Sequence, residues 1–327
     1  MAGNIAERIR EMAKVLDIDY IARALNSPVE TERGVLSGEI PDSALEDFDP
    51  SRPPEVRLVE QKKFIHSKLI GILSTGGCGA TTLTASLAVL SAQKNNLPVA
   101  AVDLNELSYL GYAFGLDVLG EQMAFFPNIL WWNNTENIKS SFIQHPEVDN
   151  LFFVLGAATA ERYTELKPEK IIESLKATAE AYSTVWVDCP TSPYLWEHVI
   201  PHLDMLIFAV RPDISHLMSI WQVMPMLKEQ KPKTAIVING ENAEGSLSTA
   251  DCRRIIGETT AVPVMACLPE DPGLRKASNN SICYVLDKPK APYTEAVAQM
   301  LDIQTGRQKK TILSGVAGFF KNSLANL

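Results

Sequence analysis

The chain has 327 residues, 46% hydrophobic and 21% charged, which supplies a core for one large α/β domain with an appendage and excludes a disordered chain. Its formal net charge of -9 repels a phosphate backbone, so nucleic acid is not expected as the primary partner. Five cysteines, an odd number with no CxxC pair, argue against a disulfide framework and read as buried thiols of a cytosolic protein.

Residues 1–27 carry Ile5, Ile9, Met12, Val15 and Leu16 at helical spacing, so one or two short amphipathic helices are expected there. The start is charged throughout and lacks the apolar core and cleavage site of a secretory signal. From Ser27 to Pro54 the chain turns acidic and proline-rich, which reads as a linker or loosely packed arm. Three segments are expected: residues 1–55, a main domain over 56–305, and a tail over 306–327.

Within the main domain, apolar runs alternate with helical patterns: KLIGILST, TLTASLAVLSAQ, PVAAVDL, LFFVLGA, PEKIIESLKATAEAY, TVWVDC, MLIFAVR, a helix over 214–229, KTAIVIN and VPVMACL. That alternation predicts a doubly wound, mostly parallel sheet flanked by helices. In such sheets ligands bind outside the carboxyl ends of the strands, so the loops after KLIGILS, AAVD, VWVD, IVIN and VMACLP are the places to look.

The first of these loops is Ser74-Thr75-Gly76-Gly77-Cys78-Gly79-Ala80-Thr81-Thr82, between a strand and a helix. Its glycines allow positive φ and let backbone N–H groups close around a phosphate at the helix N-terminus. A glycine loop alone also serves as a turn with no ligand. Three further strand ends change the weighing: Val102-Asp103-Leu104-Asn105, Val187-Asp188-Cys189-Pro190, and the pair Asn239 and Leu268-Pro269-Glu270-Asp271-Pro272.

Together these motifs resemble the ParA/MinD class of P-loop proteins, over residues 66–302, in order and with compatible spacing. Its loop pattern is KGGxGKTT, its second motif VDxD. The run VDCPTSPYLWEHVIPHLDMLIFAVRPDISHLMSIWQVMPML resembles the TadZ/CpaE branch, where a proline follows the Walker B aspartate and loops written GGxGAT occur. Members usually carry a receiver-like domain in front; the roughly 55 residues here are too few for one, since a domain of that kind needs over about 100.

The resemblance implies a nucleotide site made by Gly76, Gly77, Cys78, Gly79, Ala80, Thr81, Thr82, Asp103 and Asp188, with Asn239 and Pro269 at the base and Mg²⁺ on Thr81 and Asp188. Thr75 stands where the class has its signature lysine, Ala80 where it has the general P-loop lysine, and Asn105 at the second aspartate of VDxD. Phosphoryl transfer depends on positioned positive charge, and one well-placed donor is worth on the order of 100 to 1000-fold in rate. With three such elements altered, weak ATP and Mg²⁺ binding and little or no hydrolysis are expected. No residue is assigned a catalytic role.

The resemblance also implies a homodimer, a pilus or secretion-system assembly partner, and a cytoplasmic location on the inner face of the membrane, with a cell pole as one candidate position. The contrasting expectation is an active ATPase that positions a plasmid, chromosome or flagellum. The tail GRQKKTILSGVAGFFKNSLANL adds a separate signal: Ile312, Leu313, Val316, Phe319 and Phe320 fall on one helical face with lysines at the flanks, the pattern of a helix lying in an anionic membrane surface.

Other features read more plainly. His198 and His202 have Pro201 between them and no third ligand, so they are taken as surface histidines. Trp131 and Trp132 are expected to pack against the sheet.

Overall fold

The computed structural model describes residues 9, 10, 13, 18, 29–38, 68–94, 96–116, 126–133, 138–157, 159–229 and 233–304. The tail with Ile312, Leu313, Val316, Phe319 and Phe320, and most of the expected N-terminal helix, lie outside them. The chain divides into two compact units, Met1–Gln61 and Lys62–Leu327.

In the first unit, Val29–Ser37 is a helix, α1, inside the stretch read from composition as a linker. Its prolines flank this segment instead of interrupting it, and Gly38 at φ 80° provides the left-handed stop that favours glycine. Val35 turns inward and is fully buried, which a solvated arm would not provide.

The second unit alternates as expected. In chain order it runs β1 (Lys68–Leu73), α2 (Ala80–Lys94), β2 (Val99–Asp103), β3 (Ile143–His145), β4 (Val148–Val154), α3 (Pro168–Ala181), β5 (Thr184–Asp188), β6 (Met205–Val210), α4 (Ile214–Glu229), β7 (Lys233–Glu241), α5 (Thr249–Thr259), β8 (Val264–Pro269), α6 (Pro272–Asn279) and α7 (Pro292–Gln304). Among the described residues the strands form one eight-stranded sheet in the order β3-β4-β2-β5-β1-β6-β7-β8. All neighbours are parallel except β3 and β4, a short antiparallel edge hairpin that the alternation of runs did not announce.

β1 lies between β5 and β6, with β2 beyond β5 on one side and β7 beyond β6 on the other. Successive connections therefore leave β1 in opposite directions, and the crevice at that switch point is where an open parallel sheet admits a ligand. Strands β2 and β6 are buried at every position, because helices cover both faces. On one face α2 carries an unbroken buried run from Leu83 to Ala92, packed between the sheet and α7. Apolar residues on every side of α2 suit a helix with no solvent face. Thr84 and Ser86 fit there because their hydroxyls donate back to the carbonyls of Ala80 and Thr82, at 2.9 and 2.7 Å. The opposite face is closed by α3, α4 and α5, through Ile171, Leu175, Leu217, Ile220 and Ile256.

The two tryptophans separate. Trp132 is buried, whereas Trp131 is 42% exposed. Four cysteines are buried and Cys267 is partly so, all as free thiols. Among the described residues no helix is long and apolar enough to cross a membrane.

Candidate functional site

The glycine loop joins β1 to α2 with Gly76 at φ 101°, Gly77 at φ 68° and Gly79 at φ 75°. These left-handed angles cost a side-chain-bearing residue roughly 1–2 kcal/mol each, so the loop's shape depends on its glycines. At Gly79 there is also no room, since a Cβ would lie 2.6 Å from Asn239 Nδ2. That amide comes from the end of β7 and donates to the carbonyl of Cys78 at 2.7 Å. Asn239 is therefore tied to the loop itself. Cys78 is buried, and burial pushes its thiol up to about 11, which keeps it an unreactive neutral group.

A second clamp comes from the start of α4. The His216 ring places Nδ1 2.7 Å from Asp213 Oδ2 and Nε2 3.2 Å from the carbonyl oxygen of Gly76. Asp213 also accepts from the His216 N–H at 3.0 Å and from Ser215 Oγ at 2.6 Å. Partial burial works to raise its carboxyl, but these hydrogen bonds outweigh it and hold Asp213 at about 2. Thr75 is exposed and donates to Ser219 Oγ at 3.3 Å.

Two carboxylates stand beside the loop. Asp103 at the end of β2 and Asp188 at the end of β5 are register partners on adjacent parallel strands, so their side chains share one face. Asp103 is fully buried and fully partnered: Oδ1 accepts from Asn105 N and Nδ2 at 3.0 and 3.2 Å, Oδ2 from Ser108 Oγ and Leu110 N at 2.8 and 3.2 Å. It shapes the 104–110 loop and does not line the crevice. Asp188 is equally buried, yet neither of its oxygens has a hydrogen-bond partner. The hydroxyls of Thr81 and Thr84 and the Asn105 amide are near enough to ease its charge, but none completes a hydrogen bond to it. Burial first, and then the charge of Asp103, push the Asp188 carboxyl well above the usual carboxylate range.

The crevice has two lobes. One, of about 290 Å³, is lined by Gly76, Gly77, Gly79, Ala80, Thr81, Asn105 and Asp188, with Leu107 and Tyr109 at its mouth. The other, of about 400 Å³, runs past Gly79 and Thr82 to Asn239, Pro269, Glu270, Asp271 and Arg275, with Arg211 in its wall. The structure thus brings Gly76, Gly77, Gly79, Ala80, Thr81, Thr82, Asp188, Asn239 and Pro269 to one crevice, and leaves Cys78 and Asp103 behind its wall.

Sequence reasoning assigns no role to Arg211, Asp213 and His216. They follow β6, whose carboxyl end is not among the strand ends singled out for ligand contacts; a loop without lysines is the signal that points to a cation at a neighbouring strand end. An oxygen-seeking cation fits the first lobe: Asp188 offers two unpartnered buried oxygens, and Thr81 a hydroxyl beside them. Among the described residues no group of three or more His, Cys, Asp or Glu side chains could hold a metal alone. A cation here would share its ligands with a bound phosphate.

No protein-family model matches the chain. An uncharacterized ATP-binding protein of Methanocaldococcus jannaschii is 28% identical over 231 residues, covering 69% of this chain and 82% of that protein. The septum site-determining protein MinD of Helicobacter pylori is 25% identical over 223 residues, covering 62% and 78%. Among solved structures, MinD of Pyrococcus horikoshii complexed with Mg-ADP superposes with a TM-score of 0.63 at 22% identity, over 75% of this chain and all of that one. A ParA family ATPase from Chlorobium tepidum gives 0.59 at 19% identity, over 72% and 98%. The fold is that of the ParA/MinD class of P-loop ATPases.

The unpartnered carboxylate has a measurable cost. A carboxyl whose folded pKa is raised loses stability as pH climbs from its unfolded value near 3.9 through the folded one. Asp188→Asn removes that charge while leaving a polar group of the same size, so the ligand-free variant is expected to be more stable than the parent at pH 7. The gain should shrink toward pH 4. Urea unfolding at the two pH values checks it, and a variant less stable than the parent at pH 7 rules the assignment out.

Proposed function

We propose that the protein is a ParA/MinD-like nucleotide-binding scaffold that holds Mg–ATP in the crevice and turns it over slowly or not at all. The observation that supports this most is Asp188, a buried carboxylate kept without partners beside a phosphate-shaped glycine loop. Backbone amides at the start of α2, Thr81 and Asp188 would hold the phosphates and Mg²⁺, while Asn239 and Pro269 border the space for the base. When bound, Mg²⁺ would neutralise phosphate charge and draw on Asp188 as an oxygen ligand. Binding needs only that set. Turnover needs positive charge on the transferring group, and Thr75 and Ala80 supply none.

The biological role proposed is the TadZ/CpaE-like one, in which a homodimer recruits a pilus or secretion-system assembly machine at the inner membrane face. Exposed Leu107 and Tyr109 lie at the crevice mouth, and Ile214, Met218 and Trp221 form an exposed stripe at i, i+4 and i+7 along α4. Such apolar surface on the nucleotide side suits pairing with a second copy or with a partner. The contrasting reading, an active ATPase that positions a plasmid, chromosome or flagellum, draws on the MinD and ParA relatives and on Arg211, a cation within the crevice.

ATP binding and turnover measured together on one preparation decide between them. Binding with turnover no faster than a buffer control is expected, and Ala80→Lys should tighten binding. Turnover of about one per minute or more that disappears in Asp188→Ala overturns the scaffold reading.

Sedimentation of the full chain, alone and with anionic vesicles, reads the assembly and the tail. A dimer is expected alone, and co-sedimentation with vesicles that is lost on deletion of residues 308–327. A monomer at every concentration with and without ATP contradicts the first expectation; full vesicle binding by the truncated chain contradicts the second.

A further inference from the structure

We infer that Arg211 is the phosphate-facing cation of this site, supplied from the end of β6 in place of the loop's absent lysines and held by Glu270 until a nucleoside di- or triphosphate enters. The inference rests on the proposed nucleotide-binding function and specifies how that site meets its ligand's charge.

Three observations place the side chain. β6 pairs in register with β1, Leu73 opposite Phe208, so Arg211 emerges beside the glycine loop. His216, five residues further on, places Nε2 3.2 Å from the Gly76 carbonyl oxygen of that loop. Arg211 borders the larger lobe, which runs from Gly77, Gly79 and Thr82 of the glycine loop to Asn239 and Pro269 at the base side, so a guanidinium released from Glu270 would turn toward the loop to meet the phosphates. Among the residues lining that lobe, Arg211 and Arg275 carry positive charge, and Arg275 is exposed on α6.

Arg211 Nη2 lies 2.8 Å from Glu270 Oε2, at the end of β8. The pair sits directly over Gly240: a Cβ there would be 2.7 Å from Glu270 Oε2 and 2.9 Å from Arg211 Nη2. Gly240, at φ 95°, thus leaves space for two charged side chains. Its neighbour Asn239 is the residue bonded to Cys78, so loop, amide, glycine and guanidinium form one continuous wall.

The other carboxylate of this lobe is committed elsewhere. Asp271 accepts from Gly273 N at 2.9 Å and from the Tyr284 hydroxyl. Glu270 is bound to Arg211 alone among the hydrogen bonds of that group, and both members are about one-third exposed, at 30% and 32%. An ion pair at that exposure is weakly held, because solvent screens it. A guanidinium on a phosphate makes two parallel charge-assisted bonds, roughly twice as strong as neutral ones. Glu270 takes one such bond, through Nη2, so a phosphate that takes two and carries more negative charge can displace it.

A purely structural strut between β6 and β8 makes a different prediction from a reserved cation. Removing either end of a strut has the same effect, whereas removing a ligand cation and removing its competitor act in opposite directions. The experiment is isothermal titration of the full chain with ATP and Mg²⁺, for the parent, Arg211→Gln and Glu270→Gln, each confirmed folded by its thermal transition. Arg211→Gln is expected to weaken ATP at least 10-fold and Glu270→Gln to tighten it by about 2- to 5-fold; Arg211→Lys should recover part of the loss. If the parent binds and both Gln variants stay within 2-fold of it, or both weaken together, Arg211 is a strut and the inference fails while the nucleotide reading stands. No binding by the parent at millimolar ATP removes both.

Discussion

Two carboxylates stand side by side at the ends of β2 and β5, and the chain provides partners for only one of them. Asp103 takes four hydrogen bonds from Asn105, Ser108 and Leu110, and so becomes the post on which the 104–110 loop is built. Asp188, with the same burial and a like charge beside it, has none. An uncompensated carboxylate at the centre of a sheet is a destabilising element that packing elsewhere must offset. Its position beside Thr81, at the start of α2, makes that cost intelligible as the preparation of a cation site.

The rest of the crevice is a consequence of the sheet. Parallel strands deliver their carboxyl ends to one edge, and β1 at the switch point puts the glycine loop between the loops after β5 and β6. The loop is then braced from two directions: Asn239 holds the Cys78 carbonyl and His216 the Gly76 carbonyl. Preformed loops of this kind lower the ordering cost of binding. Fixed charge on the loop is what the braces do not restore, and the Arg211–Glu270 pair is the arrangement that can bring it from another strand.

The sheet was legible because its strands are apolar on both faces, so continuous runs such as MLIFAV and TVWVD announced themselves between helical patterns. β3, of three residues with one facing solvent, carries no such signal. The helix Val29–Ser37 was hidden by the acidic and proline content around it, which composition registers but a single buried Val35 outweighs. At the site, the resemblance to the ParA/MinD-class motifs pointed to the glycine loop, Asp188, Asn239 and Pro269, which line the crevice. The separate fates of Asp103 and Asp188 were not, since both end a strand as Val-Asp and differ only in what the following loop folds back to offer. Arg211 and His216 were missed for a related reason: their roles arise from β6 lying next to β1, a neighbour relation across about 135 positions of sequence that no local pattern encodes.

Thermal unfolding of the full chain with ATP, in Mg²⁺ and in EDTA, tests the central claim most directly. Ligand at 100 times its Kd stabilises by about 2.7 kcal/mol, a shift of several degrees for a unit of this size. The account predicts that shift when ATP and Mg²⁺ are present together, and its loss in EDTA or in Asp188→Asn. An equal shift in EDTA, or none with both at millimolar concentration, contradicts it.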